Sequence, residues 1–362
     1  MSEGYGAPSA RRAFDFGKRR VGPGEPTFIV AEMSANHGGS LEQAIRVLHA
    51  AKEAGADAVK IQTYTADTMT LDIDRPPFVV KLDAWSGRTL YDLYEEAHTP
   101  WAWHSRLKQV ADEIDIPLFS SPFDAKAVEL LETLNVPAYK IASFELVDHE
   151  LLRLVARTGK PVILSTGMAH LDEIVEAVSV LRGANTALKL VLLKCTSVYP
   201  ADPREANLRT IPHLAETFDC ASGISDHTLA PAVAVAAVAL GACMIEKHFC
   251  LSRSDGGPDA SFSLEPDEFR ALVRDVRLTE AALGRVNYQP SPSEQRSRAY
   301  RRSLFVVENV TMGEPLTREN VRALRPGDGL APKYLPEALG RRAACDIRRG
   351  TPLAWAHLGS RA

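Results

Sequence analysis

Eight short apolar, β-branched runs alternate with eight helical patterns along this chain, and each run ends on polar residues. The runs are Thr27–Ala35, Ala58–Tyr64, Ile116–Phe123, Ala138–Glu145, Pro161–Gly167, Leu188–Tyr199, Cys220–His227 and Cys243–Phe249. Parallel strands buried on both faces read as nearly continuous hydrophobics, and each returns to its neighbour through a helix. Eight such units predict an α/β fold, the (β/α)8 TIM barrel, whose chemistry sits at the C-terminal ends of the strands. Those ends carry Glu32, Asn36, His37, Lys60, Gln62, Ser120, Ser121, Lys140, Ser143, Glu145, Ser165, Tyr199, Ser225, Asp226, His227, Glu246, Lys247 and His248. Filling a barrel core does not need so many titratable and hydroxyl groups on one rim.

The chain has 362 residues, and a barrel takes roughly 250. The expected division is a tail and hairpin over 1–26, a barrel over 27–284, a polar linker over 285–302 and a small module over 303–362. Residues 1–13 read as disordered, and Phe14–Pro26 as a hairpin that could plug the barrel floor. Ser40 is expected to cap the first helix, Leu41–Ala54, and Asp124 the third. Thr65–Pro100 forms a long insertion after the second strand, and long loops at this end of a barrel serve as walls or lids. The eighth helix is read over Pro266–Leu283, stopped by Gly284. The terminal module mixes short β-rich pieces with Gly-Glu-Pro and Arg-Gly-Thr-Pro turns, and is small enough to need packing against a barrel.

A formal net charge of −4 gives no reason to expect nucleic acid or a membrane as partner. Five cysteines without a C-x-x-C pair read as reduced thiols of a cytoplasmic protein. No secretory signal pattern is read at the N-terminus. The longest apolar stretch, Leu229–Ile245, falls short of the roughly 20 residues a spanning helix needs. No G-x-G-x-x-G, P-loop or G-x-S-x-G pattern supports a nucleotide-binding or α/β-hydrolase reading.

His227 and His248 end neighbouring runs. Adjacent strands lie about 5 Å apart, so the two imidazoles can converge on one divalent metal that keeps open positions. The alternative is that each merely hydrogen-bonds within the rim. Lys60 and Lys140, with Ser120, Ser121, Ser143, Ser165 and Ser225, suit a phosphate or carboxylate, since two ammonium groups facing one mouth otherwise repel. The alternative is ion pairing with Glu32, Glu145 or Glu246. Glu32, Glu145 and Asp259 are candidate acid/base groups or partners for sugar hydroxyls. Asp255–Asp259 (DGGPD) is either an ordinary turn or a loop whose glycines let a ligand approach closely.

The ordered segments AEMSANH, GADAVKIQTY, PLFSSPFD, AYKIASFE, ILSTGM, KCTSVYP, GISDHT, ALGACMIEKHF and GGPDASFSLEP resemble the sialic acid synthase family, which condenses phosphoenolpyruvate with a sugar aldehyde. The likeness runs from about Phe14 onward, and the terminal module resembles the antifreeze-like (SAF) domain of these enzymes. EMSANH, YDLYEEAHTPWAWH and GGPDASFSLEP look most like the pseudaminate branch. The neuraminate and legionaminate branches usually read closer to E-x-G-x-N-H. Ser197 departs from the neuraminate branch, which tends to have Asn there.

The resemblance implies a role for each matching position. His227 and His248 would hold Mn(II), with Mg(II) or Co(II) as alternatives. Lys60, Ser121, Lys140, Ser143, Ser165 and Ser225 would hold the phosphate and carboxylate of phosphoenolpyruvate. Glu32, Gln62, Glu145, Tyr199 and Asp259 would face the sugar, with Glu32 and Glu145 serving the chemistry. Arg325 would reach the sugar from the antifreeze-like domain of the other subunit of a domain-swapped homodimer. The implied sugar is 2,4-diacetamido-2,4,6-trideoxy-altrose, and the product a nine-carbon 3-deoxy-2-ulosonic acid. Against this stand a neuraminate, legionaminate or spore-coat branch, a metal-dependent keto-acid aldolase that needs the histidines but not the lysines, and a non-catalytic carbohydrate binder.

Overall fold

A computed structural model describes residues 13–81 and 85–361. The tail read as disordered therefore lies, save Ala13, outside the described residues. Eight parallel strands close into one barrel in chain order. They are β1 (Phe28–Glu32), β2 (Ala58–Thr63), β3 (Leu118–Pro122), β4 (Tyr139–Ile141), β5 (Val162–Ser165), β6 (Leu190–Cys195), β7 (Ala221–Asp226) and β8 (Met244–His248), with β8 pairing back to β1. The register sets Glu32 beside both Lys60 and His248, Gln62 beside Ser121, and Glu246 beside Ser225.

The strands are shorter than the apolar runs. Ser143 and Glu145 lie on a 3-10 turn, Ser143–Val147, and Tyr199 on the loop after β6. Past the barrel rim a segment has no neighbour to continue the ladder, so it turns although its composition is unchanged.

Successive strand residues face opposite sides. Ile29, Ile61, Ile224 and Ile245 join Leu48, Leu107 and Phe269 of the surrounding helices in one apolar cluster. Their alternates, such as Lys60, Gln62, Ser225 and Glu246, are left to the lumen. Helix starts follow side-chain chemistry: Ser40 Oγ accepts from the Gln43 N–H at 3.3 Å, and Asp124 Oδ1 from the Ala127 N–H at 2.9 Å. Among the described residues, the insertion after β2 holds the short helices Ala66–Met69 and Leu90–Ala97.

The hairpin Phe14–Phe16/Arg19–Val21 closes the floor. Phe16 is fully buried, with ring centroids 4.7 Å from Phe28 and 5.2 Å from Phe119, near the starts of β1 and β3. Asp57 ties this end together by accepting from Arg19, from Arg277 Nη2 at 3.0 Å and from the Ile29 N–H at 2.8 Å.

The chain divides into two compact units after Gly284. The second pairs Ser303–Val306 with Val321–Leu324 and Arg341–Ala343 with Leu358–Arg361, around a core that includes Leu304, Val306, Leu316, Val321 and Leu353. The stretch 285–302, read from composition as a linker, contains the helix Pro292–Ser297. A capping box explains it: Ser291 Oγ accepts from the Glu294 N–H, and Glu294 Oε2 accepts from the Ser291 N–H at 2.7 Å. Among the described residues, no helix is long and apolar enough to cross a membrane.

Candidate active site

Two carboxylates and two ammonium groups interleave at the mouth of the barrel. Lys60 Nζ lies 2.6 Å from Glu32 Oε2 and 3.7 Å from Glu246 Oε1, and Lys140 Nζ lies 3.8 Å from that same Glu246 oxygen. All four side chains are buried. Mutual repulsion of the lysines is therefore not what demands an anion here, because Glu246 stands between them. The ion-pair reading holds in the structure described, and it leaves the lysines in place for a stronger anion.

The electrostatics follow from that arrangement. Burial opposes the charge on Glu246, but Lys140 and Lys60 outweigh it and hold its carboxyl below the usual range. Burial pushes Glu32 up, with Lys60 pulling against it. It also lowers Lys140 below an ordinary ammonium, while Glu246 and Glu32 keep Lys60 above one despite the same burial.

The hydroxyls complete the rim. Lys60 Nζ donates to Ser121 Oγ at 3.3 Å, and Ser225 Oγ donates to Glu246 Oε1 at 3.0 Å. Lys140 Nζ donates to the Ile141 carbonyl at 3.1 Å, and Ser143 Oγ accepts from the Gly167 N–H at 3.1 Å. Ser165 Oγ is buried without a partner among the described residues, an arrangement that leaves a donor for a bound ligand. Glu145 Oε2 is likewise unpartnered, and burial lifts this carboxyl to about 7 while Lys140 pulls it down.

His227 and His248 do converge, with ring centroids 5.3 Å apart. The Thr196 carbonyl lies 2.9 Å from His227 Nδ1. That contact puts a proton on Nδ1. Burial opposes charge on this ring, but Cys195, its sulfur 4.0 Å from Nδ1, outweighs burial and holds the imidazole above its ordinary range. Only the neutral ring keeps a lone pair on Nε2. His248 is buried among cationic neighbours and is held neutral, well below the ordinary imidazole range. Its Nδ1 has no hydrogen-bond partner among the described residues and lies 4.0 Å from Asp259 Oδ2. With both rings neutral, His227 Nε2 and the orphaned His248 nitrogen would fit a divalent transition metal. Among the described residues, no group of three or more His, Cys, Asp or Glu gathers to cage an ion. A metal held by this pair therefore keeps positions open to substrate or water.

Tyr199 covers the pair, its ring 4.3 Å from His227 and 5.0 Å from Phe262, and Phe262 also lies 5.0 Å from His248. Trp85, from the long insertion, packs 5.9 Å from Tyr199 and donates its indole N–H to the Pro258 carbonyl at 3.1 Å. The insertion thus reaches the loop that carries Asp259.

Several groups escaped the reading by residue type. Glu246 was read only as an alternative ion-pair partner, though it sits two residues before His248 on the lumen side of β8. Trp85, Phe262 and Ser34 gave no local signal, because their roles depend on contacts between distant loops. Conversely, Asp226 and Lys247 on the rim pair with each other at 2.7 Å, and Asn36 donates to the Phe249 carbonyl and Ser263 Oγ. Those three hold the wall rather than face the mouth. Arg325 belongs to the second unit, where it lines a groove of about 630 Å³ with Phe305, Arg322 and Arg349.

Residues 47–288 match the model of the NeuB family. The chain belongs to the NeuB family. Residues 301–359 match the SAF domain. Among curated members, the chain is 44% identical to the pseudaminic acid synthase of Helicobacter pylori, over 91% of this chain and 97% of that protein. It is 45% identical to the pseudaminic acid synthase of Campylobacter jejuni, over 90% and 95%. A solved structure, the N-acetylneuraminic acid synthetase of Leptospira borgpetersenii, superposes with a TM-score of 0.71 at 31% identity, covering 79% of this chain and 95% of that one.

Proposed function

We propose that this NeuB-family chain works as a pseudaminic acid synthase. It condenses phosphoenolpyruvate with 2,4-diacetamido-2,4,6-trideoxy-altrose and water, giving a nine-carbon 3-deoxy-2-ulosonic acid and phosphate. The observation that carries the reading is the interleaved cluster of Glu32, Lys60, Glu246 and Lys140 beside the His227–His248 pair. One half suits a small polyanion, and the other suits a polarised aldehyde. The likeness to two pseudaminic acid synthases over nearly their whole length favours this sugar.

Lys60 and Lys140, with Ser121, Ser143, Ser165 and Ser225, take the phosphate and carboxylate of phosphoenolpyruvate. Gln62, Tyr199 and Asp259 hold the open-chain sugar. A divalent ion on His227 and His248, Mn(II) foremost, supplies a Lewis acid for the aldehyde oxygen when bound. The enol-ether carbon attacks the aldehyde carbon, and positive charge develops at the former enol carbon. Glu32 and Glu145 are the carboxylates assigned to stabilise that charge. Glu32 orients the water that adds there, and phosphate departs by carbon–oxygen cleavage.

A homodimer in which Arg325 from a second copy reaches the sugar fits the SAF domain at the C-terminal end. Consumption of phosphoenolpyruvate suits the cytoplasm. Phosphate release from the two substrates, lost with EDTA and restored by Mn(II), tests the reaction class. A keto-acid aldolase releases no phosphate, and a carbohydrate binder is indifferent to chelation.

A further inference from the structure

Ser34, two residues past the end of β1, lies in the left-handed region, with φ of 45°, and is buried. A residue with a side chain enters that region at a cost, and stays there where its surroundings over-determine it. Here the surroundings are explicit. The Asn36 N–H donates to the Met33 carbonyl at 3.0 Å and closes the turn. The turn aims the Ala35 N–H at Asp259 Oδ2, 3.3 Å away. It also directs the Ser34 hydroxyl toward two side chains at once. Gln62 Nε2 donates to Ser34 Oγ at 2.9 Å, and the Ser34 hydroxyl beside Asp259 pulls that carboxyl down against the burial that raises it.

The chain of bonds fixes the orientation of Gln62. Its Nε2 also donates to Glu32 Oε1 at 3.0 Å, and a carboxylate can only accept, so the NH2 end of the amide faces Glu32. Both amide hydrogens are then used. Among the described residues nothing donates to Gln62 Oε1. Gln62 thus offers a ligand an acceptor and not a donor. Gln62 offers only an acceptor here and Asp259 is an acid, so this corner suits a hydrogen-bond donor rather than the phosphate or carboxylate of phosphoenolpyruvate.

We propose that Ser34 is a positioning residue for the sugar half of the reaction: it holds the Gln62 amide oxygen toward an N–H or O–H donor of the aldose, and fixes Asp259 beside the histidine pair. The ligand class is an acetamido sugar, whose amide N–H meets the fixed acceptor. This inference rests on the reaction proposed above.

Initial rates of the purified full-length protein test it, with Ser34→Gly and Ser34→Ala beside the unsubstituted chain. The aldose is varied at saturating phosphoenolpyruvate, and then the reverse. Ser34→Gly removes the hydroxyl and also relieves the left-handed strain, so its melting temperature should not fall. Ser34→Ala removes the hydroxyl and keeps the strain. Both are expected to raise KM for 2,4-diacetamido-2,4,6-trideoxy-altrose about tenfold while KM for phosphoenolpyruvate stays within about twofold, the split expected when one buried hydrogen-bonding group is lost. Unchanged sugar KM in both variants, or a parallel rise in both KM values, overturns the role of Ser34. If the unsubstituted protein ignores this aldose and turns over N-acetylmannosamine, the assigned substrate fails instead. The same KM split measured with N-acetylmannosamine then decides Ser34.

Discussion

Lys60 Nζ and Glu32 Oε2 stand 2.6 Å apart with both side chains almost wholly shielded from water. This pair joins the proposed anion cradle to the proposed water-orienting carboxylate, so neither can be altered alone. Removing one member of a buried ion pair leaves the other uncompensated and costs about 3–5 kcal/mol. Lys60→Met should therefore lose phosphoenolpyruvate binding and also that much stability. Calorimetric titration with phosphoenolpyruvate and denaturant unfolding check the two effects separately. Unaltered affinity would remove Lys60 from the cradle.

Glu145 gives the site a pH dependence. Burial raises its carboxyl to about 7, with Lys140 opposing. Only the ionised form stabilises developing positive charge. Activity should thus rise as pH increases through about 7, since a raised carboxyl loses its proton late. In Glu145→Gln that rising limb should vanish and kcat fall by about a hundredfold or more, the scale of losing a preorganised electrostatic partner. A pH–rate profile that keeps the limb in the variant assigns it to another group.

The floor of the barrel should matter to stability and not to chemistry. Phe16 is fully buried against Phe28 and Phe119. Phe16→Ala should cost about 3–5 kcal/mol of folding free energy through the cavity it leaves. Both KM values of the folded variant should match the parent, because the plug lies at the end opposite the mouth.

Gly167 permits a close approach at the mouth. A Cβ built there would meet Ser197 Oγ at 2.1 Å and Ser143 Oγ at 2.7 Å. Gly167→Ala should displace Ser143 and lower kcat/KM for phosphoenolpyruvate by about a hundredfold, the scale of an ångström-level misplacement. Steady-state kinetics on the folded variant decide it, and parental values would show that Ser143 does not need its present position.

The barrel was legible because parallel strands are buried on both faces, which leaves runs such as Val162–Ser165 and Leu190–Cys195 marked by composition alone. His227 and His248 were legible as a pair because neighbouring strands fix the distance between their ends. The ends of the runs were not: Ser143, Glu145 and Tyr199 lie past the last ladder bond, where composition no longer separates strand from turn. Glu246 carried a signal in its two-residue spacing from His248. Ser34 carried none, since its role needs a left-handed φ, a partner from β2 and a turn whose Ala35 N–H meets the loop after β8. Trp85 over Tyr199 is likewise a product of loop folding.

The most direct test of the central claim is mass spectrometry of the product formed from phosphoenolpyruvate with an equimolar mixture of 2,4-diacetamido-2,4,6-trideoxy-altrose and N-acetylmannosamine, in the presence of Mn(II). One new nine-carbon ulosonic acid, derived from the diacetamido sugar, is expected in step with phosphate released. A product derived from N-acetylmannosamine alone would contradict the assigned sugar, and no condensed product from either would contradict the assigned reaction.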